Sequence, residues 1–401
     1  MTRDDRFPDD FLWGSTSSST GVEGAAFASD WTAWERSGHA PASNDGNGWR
    51  TNYPDDVQLL ASLGLTSLRV TIEWARLEPS PGRIDNDRVE HERRVLETIR
   101  DAGLQPWLTL HHTSLPGWFS EDEGGFRDER ARGYYWARHV DRCAEWFDDL
   151  VAGWVPIEDP IGWAVRGFLR GVRPPGRRAP DIARDAIVGV LEANHDAWRL
   201  LRSGDKPVMC VLGLPSVFAA DTDSRAEANH WQRVLWNTPL RARREGVLEI
   251  PGGAELERPD MAGAFDLIGV AFDHPIAVNI DGSAGPYPPS ARRDDTGYAP
   301  NPTELGEVLQ RVAEEVPGVP LVVASNGVAT TDDSWREELL RSTLDVLADV
   351  RGAGVDLRGW FHDTGIDSYE WNLGFAAPRG LIARDRTIKP SGRWLQELLS
   401  K

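Results

Sequence analysis

Lysine is nearly absent from this 401-residue chain, which has only Lys206, Lys389 and Lys401, so arginine carries almost all of its positive charge. Positive charge is itself outweighed. With 44 Lys and Arg against 63 Asp and Glu, the formal charge is −19, which disfavours nucleic acid, anionic membranes and phosphorylated substrates as partners. Cysteine is scarce too. Cys143 and Cys210 fall in separate expected elements, which excludes a disulfide framework and suits a reducing cytoplasm. No run approaches the roughly 18 apolar residues needed to span a bilayer, and the N-terminal Met1-Thr-Arg-Asp-Asp-Arg-Phe-Pro8 lacks the apolar centre of a secretion signal. A cytoplasmic location is therefore expected. No metal site is expected either: zinc-like Cys/His spacing is missing, and neighbours such as His111 and His112 point to opposite faces of a strand. The glycine-rich loop of a dinucleotide site is also missing, and no cofactor is expected.

What is present alternates regularly. Short apolar runs at Phe11–Gly14, Ser67–Ile72, Trp107–Leu110, Val155–Ile157, Val208–Leu212, Asp266–Phe272, Leu321–Ala324 and Leu357–Phe361 read as buried parallel strands. Helical patterns lie between them. Val57, Leu60, Ala61 and Leu63 share one face; Val89, Val95, Leu96 and Ile99 share another, as do Trp136, Val140, Cys143, Phe147 and Leu150. Later come Leu305, Val308, Leu309 and Val312, then Leu339, Leu340, Leu344, Leu347 and Val350. Asp55-Asp56 and Asp332-Asp333-Ser334 supply acids and caps where helix starts are expected. Eight strands with interleaved helices predict one (β/α)8 barrel over residues 1–401, with long surface loops at Arg173–Pro180 and Asp281–Asn301. Barrel sites form at strand C-terminal ends. That places Asp159, Ser325 and the Glu370-Trp371 pair around one pocket. Of the 18 tryptophans, one or two are assigned to a ligand and the rest to the core.

Motifs in order along nearly the whole chain resemble those of the family 1 glycoside hydrolases, the β-glucosidase family. Phe11-Leu-Trp-Gly14 with Val22-Glu23-Gly24 is similar to "FLWG…YQIEG", and Leu68–Arg76 to "YRFSISWSR". Thr109–Pro116 resembles "TLYHWDLP", Trp154–Pro160 "WITFNEP", Gly359–Trp371 "GYFxWSLLDNFEW", and Arg379-Gly380-Leu381 "RFGL". Pro320–Gly327 resembles the strand and turn "ITENG".

The resemblance puts Ser325 where the family has its glutamate nucleophile, and Asp159 at the acid/base glutamate, one methylene shorter and so about 1.5 Å less in reach. Glu158 stands for the asparagine that binds the sugar 2-hydroxyl. Adjacent carboxyls at 158 and 159 would raise one pKa. Gly21 replaces a sugar-binding glutamine, Asp273 a tyrosine beside the nucleophile, and Asp363 a stacking tryptophan. Arg69, His112, Glu370 and Trp371 match the family's residues.

Each position has a plainer reading as well. Asp159 and Glu158 can be polar strand ends, Arg69 can pair with barrel acids, and His112 and Trp371 can be core. Ser325, with no His/Asp partner in view, reads as a turn residue before it reads as a nucleophile.

β-Glycoside cleavage ordinarily needs two carboxyls. The resemblance therefore implies a small-molecule glycoside or oligosaccharide as ligand, and a standard retaining mechanism is not expected. Three outcomes follow. The chain is a repurposed hydrolase, with Asp273 or Asp363 as base to a water beside Ser325 and inversion at the sugar. Or it is a non-catalytic sugar binder or scaffold. The third, an oxidoreductase, lacks any cofactor signature.

Overall fold

The computed structural model describes residues 6–250 and 252–400. Eight parallel strands form the centre: β1 (Leu12–Thr16), β2 (Ser67–Thr71), β3 (Gln105–His111), β4 (Gly153–Ile157), β5 (Met209–Gly213), β6 (Leu267–Ala271), β7 (Leu321–Asn326) and β8 (Leu357–Asp363). Their order is β4-β3-β2-β1-β8-β7-β6-β5. The ring closes where β4 meets β5, through parallel bridges Trp154–Val208 and Glu158–Val211. All eight expected strands are present, each within a few residues of its reading.

These runs are apolar on both faces because both faces are covered. Inside the barrel, Trp107, Val155, Met209, Val211, Val322, Ala324 and Phe361 pack into one small core. Outside, helices bury the faces that their periodicity marks. Val89, Val95, Leu96 and Ile99 are buried on Asn86–Asp101, and Leu305, Val308, Leu309 and Val312 on Pro302–Glu315. Burying a side chain of that kind contributes roughly 1.5–3 kcal/mol. Cys143 and Cys210 are free and buried. Among the described residues no helix is long and apolar enough to cross a membrane.

One helix start differs from the reading. The helix carrying Asp55 and Asp56 begins at Trp49, after Gly48, and continues through Pro54. Asp56 is mid-helix and buried, bonded to Arg386 at 2.9 and 2.8 Å. Pro54 is the sixth residue of this helix, past the first turn where proline is ordinarily placed, so a reading that starts the helix after it begins too late. Asp332 does cap its helix, accepting from the Trp335 amide.

Candidate active site

The C-terminal strand ends surround a cavity of about 310 Å³. Asp159, Asp273 and Ser325 lie in its wall, from the ends of β4, β6 and β7. Three of the four residues read as possible catalytic groups thus meet in one place. Glu158, Arg69, His112, Asp363, Glu370 and Trp371 do not line this cavity; Glu158 directly precedes Asp159, and Asp363 shares Arg379 with Asp273.

Ser325 sits at a register irregularity where β7 pairs with β6. Its carbonyl accepts from the Phe272 amide at 2.9 Å, and among the described residues no side chain hydrogen-bonds its hydroxyl. Asp159 has the opposite surroundings. It has φ 43°, a left-handed backbone uncommon for a non-glycine residue, and caps the helix Pro160–Ala164. Its Oδ1 accepts from the amides of Gly162 and Gly213 at 3.1 and 3.2 Å, and its Oδ2 from Arg166 at 2.8 Å. Both glycines are needed, because a Cβ at Gly162 would come within 1.8 Å of Oδ2, and one at Gly213 within 2.7 Å of Oδ1.

Glu158, one residue earlier, is buried against Arg69. Arg69 also donates to Thr109 Oγ1 at 3.2 Å and to the Ala324 carbonyl at 2.9 Å, so one guanidinium ties together β2, β3, β7 and the end of β4. Burial raises the Glu158 pKa; the Arg69 charge opposes this, and Asp159 adds to it.

A second ion cluster closes the β6–β8 side. Arg379 holds Asp273 Oδ2 at 2.5 Å and Asp363 Oδ2 at 3.0 Å. Burial pushes Asp363 up to about 6 against the pull of Arg379. Glu370 is pushed up to about 8 by burial, again opposed by Arg379, and so keeps its proton at neutral pH. His112 is driven well down by burial and by Arg69, and its ring lies 5.6 Å from Trp371. The other oxygen of Asp273, Oδ1, is buried without a partner.

Away from the strand ends the cavity turns apolar. Val217, Trp231, Leu235, Ile276 and Val278 form that wall, with His274 stacked on Tyr298 at 3.8 Å. Arg170 covers Trp231 at 4.9 Å. The sequence reading missed Arg166, Arg173 and Arg379 as site residues. Arg166 carried a signal, since it lies seven residues after Asp159, two helical turns on the same face.

The Glycosyl hydrolase family 1 model matches residues 3–226 and 277–401. The chain belongs to glycosyl hydrolase family 1. It is 28% identical over 436 residues to thermostable beta-glucosidase B of Thermobispora bispora, covering 98% of this chain and 91% of that one. Beta-glucosidase A of Thermotoga maritima is 24% identical, with 98% of both chains covered. Among solved structures, the beta-glycosidase from Pyrococcus horikoshii superposes with a TM-score of 0.91 at 27% identity, over 98% of this chain and 94% of that one. A beta-glucosidase from Thermotoga maritima in complex with glucoimidazole gives 0.89 at 21% identity, with 98% of both covered, a likeness of fold.

The fold is therefore the (β/α)8 barrel of this family. The family match omits residues 227–276, and that stretch supplies Trp231, Leu235, Asp273, His274 and Ile276 to the cavity wall. One side of the cavity thus comes from a stretch that the family model does not cover.

Proposed function

We propose that this family 1 member binds β-glycosides at the mouth of its barrel and does not cleave them by the retaining route. One observation carries the reading: Ser325 lies in the cavity wall at the end of β7, and the carboxylate facing that cavity from β4, Asp159, has both oxygens occupied by Arg166 and two backbone amides. Retention needs a carboxylate nucleophile and a carboxylic acid that gives up a proton. A serine hydroxyl with no base beside it does not attack a sugar. For Asp159 to donate a proton, it would first have to release acceptor bonds it already makes.

Binding is supported separately. The beta-glucosidase of Thermotoga maritima has been solved with glucoimidazole, deoxynojirimycin and castanospermine. In this chain, protonated Glu370 beside Trp371 can grip hydroxyls and a ring face. The apolar wall from Val217 to Val278 fits an aglycone.

The test uses 2,4-dinitrophenyl β-D-glucoside, whose leaving group departs without an acid. The wild type is expected to release no dinitrophenolate, whereas Ser325→Glu restores a nucleophile and gives a burst. Steady release by the wild type with retained configuration would refute the reading.

Asp273 supports a second reading. Its side chain lies in the cavity wall with Oδ2 on Arg379 and Oδ1 shut off from water, so it can orient a water in the space Ser325 leaves once the side chain turns from Arg379. Set about 6.5–9.5 Å from an acid, such a base gives inversion. Observation of the α-anomer as first product by NMR would favour it over binding alone.

A further inference from the structure

After the helical segment that follows β4, the chain brings to the site an arginine with no acid at ion-pair distance, Asp159 and Glu370 acting on it only from farther off. Arg173 donates from Nη1 to Thr113 Oγ1 at 3.0 Å, and its guanidinium carbon lies 5.1 Å above the Trp371 ring. Among the described residues it makes no ion pair within 4.0 Å. The acids that would serve are engaged otherwise. Asp159 is held by Arg166 at 2.8 Å, and Glu370 keeps its proton at neutral pH. Burial, and then the Arg166 charge, disfavour the Arg173 cation where it stands, against the weaker pull of Asp159 and Glu370. An unpaired cation in such surroundings is unfavourable until an anion joins it.

The mount is built for this. Thr113 is β-branched yet has φ 75°, a conformation that such residues adopt only where the surroundings impose it, and its carbonyl is held by Trp163 Nε1 at 3.2 Å. That strained turn presents Oγ1 to Arg173. Asn372 Nδ2 donates to the Val172 carbonyl at 2.9 Å and fixes the loop against the Trp371 segment. Beside them, the buried Nδ1 of His112 has no partner.

We propose that Arg173 is a specificity-determining residue that receives a carboxylate on the bound sugar, so that the ligand class is a β-linked uronic acid in place of a neutral hexoside. The inference rests on the β-glycoside-binding reading above. A planar guanidinium meets a carboxylate through two parallel hydrogen bonds, which an ammonium does not offer. A phosphate, with its greater charge, is repelled more strongly by a chain of formal charge −19.

Calorimetric titration of the full chain with 4-nitrophenyl β-D-glucuronide, the matching β-D-glucoside and the glucoside 6-phosphate tests this, in wild type and Arg173→Gln. The wild type is expected to prefer the glucuronide over the glucoside by roughly tenfold to a hundredfold, as for one charge-assisted pair, and the preference is expected to fall to near one in Arg173→Gln. The preference should also weaken as salt is raised.

Equal binding of glucuronide and glucoside by the wild type would overturn the proposal, as would a preference that survives in Arg173→Gln or tighter binding of the 6-phosphate. Glucoside binding that appears only in Arg173→Gln would make Arg173 a plug, again against the proposal but with the binding site intact. Failure of both proteins to bind any of the three removes the β-glycoside reading itself.

Discussion

Arg69→Met is expected to lower stability by about 3–5 kcal/mol, because it leaves Glu158 buried without its partner. The same substitution removes the bonds to Thr109 and to the Ala324 carbonyl, and with them the tie between β2, β3 and β7. Much of the cost comes from the stranded carboxylate, so adding Glu158→Met should recover a large part of it. A well-packed apolar pair of similar volume is often no less stable than the ion pair it replaces. Denaturant unfolding of the two single variants and the double variant measures the coupling directly. Purely additive effects, or a harmless Arg69→Met, would mean that the pair is not the tie described here.

Stability is also expected to fall as pH rises through the neutral range. Burial pushes Asp30 up to about 8, with Glu73 adding to it and the Leu115 amide opposing. Glu370 is pushed to about 8 as well. Between the unfolded carboxyl values near 4 and a folded value near 8, the folded state holds a proton that the unfolded state has lost. In that window ν_U − ν_N is negative, so unfolding free energy declines as pH rises, by about 1.4 kcal/mol per pH unit for each such group. Glu23 is lowered to about 2 despite burial, by His91 and the Arg88 and Arg76 charges, and its opposite contribution is confined to acid below about pH 4.5. The buried His111, His112, His139 and His362, all held below the usual imidazole range by burial, oppose this only below about pH 6.5, so calorimetric Tm should be lower at pH 8.5 than at pH 7. Asp30→Asn and Glu370→Gln, which carry their amides at every pH, should each flatten the slope. A Tm that rises over this range would contradict the assignment.

The barrel was legible because parallel strands covered on both faces must be apolar throughout, and the helices between them must repeat at 3.6. The strand-end rule brought Asp159 and Ser325 to one cavity, the resemblance added Asp273, and Glu370-Trp371, placed by the same rule, do not line that cavity. What escaped was the pairing. Arg166, Arg173 and Arg379 reach their partners across 7, 60 and 106 positions respectively, judged by Asp159, Thr113 and Asp273. Only the shortest of these separations leaves a mark in helical periodicity. The family model leaves out residues 227–276, where the resemblance reached only Asp273, so the apolar wall through Trp231 and Leu235 had no motif from which to be read. The Asp55-Asp56 reading failed for a local reason: the helix starts at Trp49 and runs through Pro54 in its interior, and Asp56 serves Arg386 rather than a cap.

The most direct measurement is proton NMR of the wild type incubated with 4-nitrophenyl β-D-glucoside, following line broadening of the ligand and the anomeric signals of any glucose released. The account predicts saturable broadening with no glucose. Release of β-glucose as first product would contradict it, since that outcome requires a nucleophile that Ser325 does not provide.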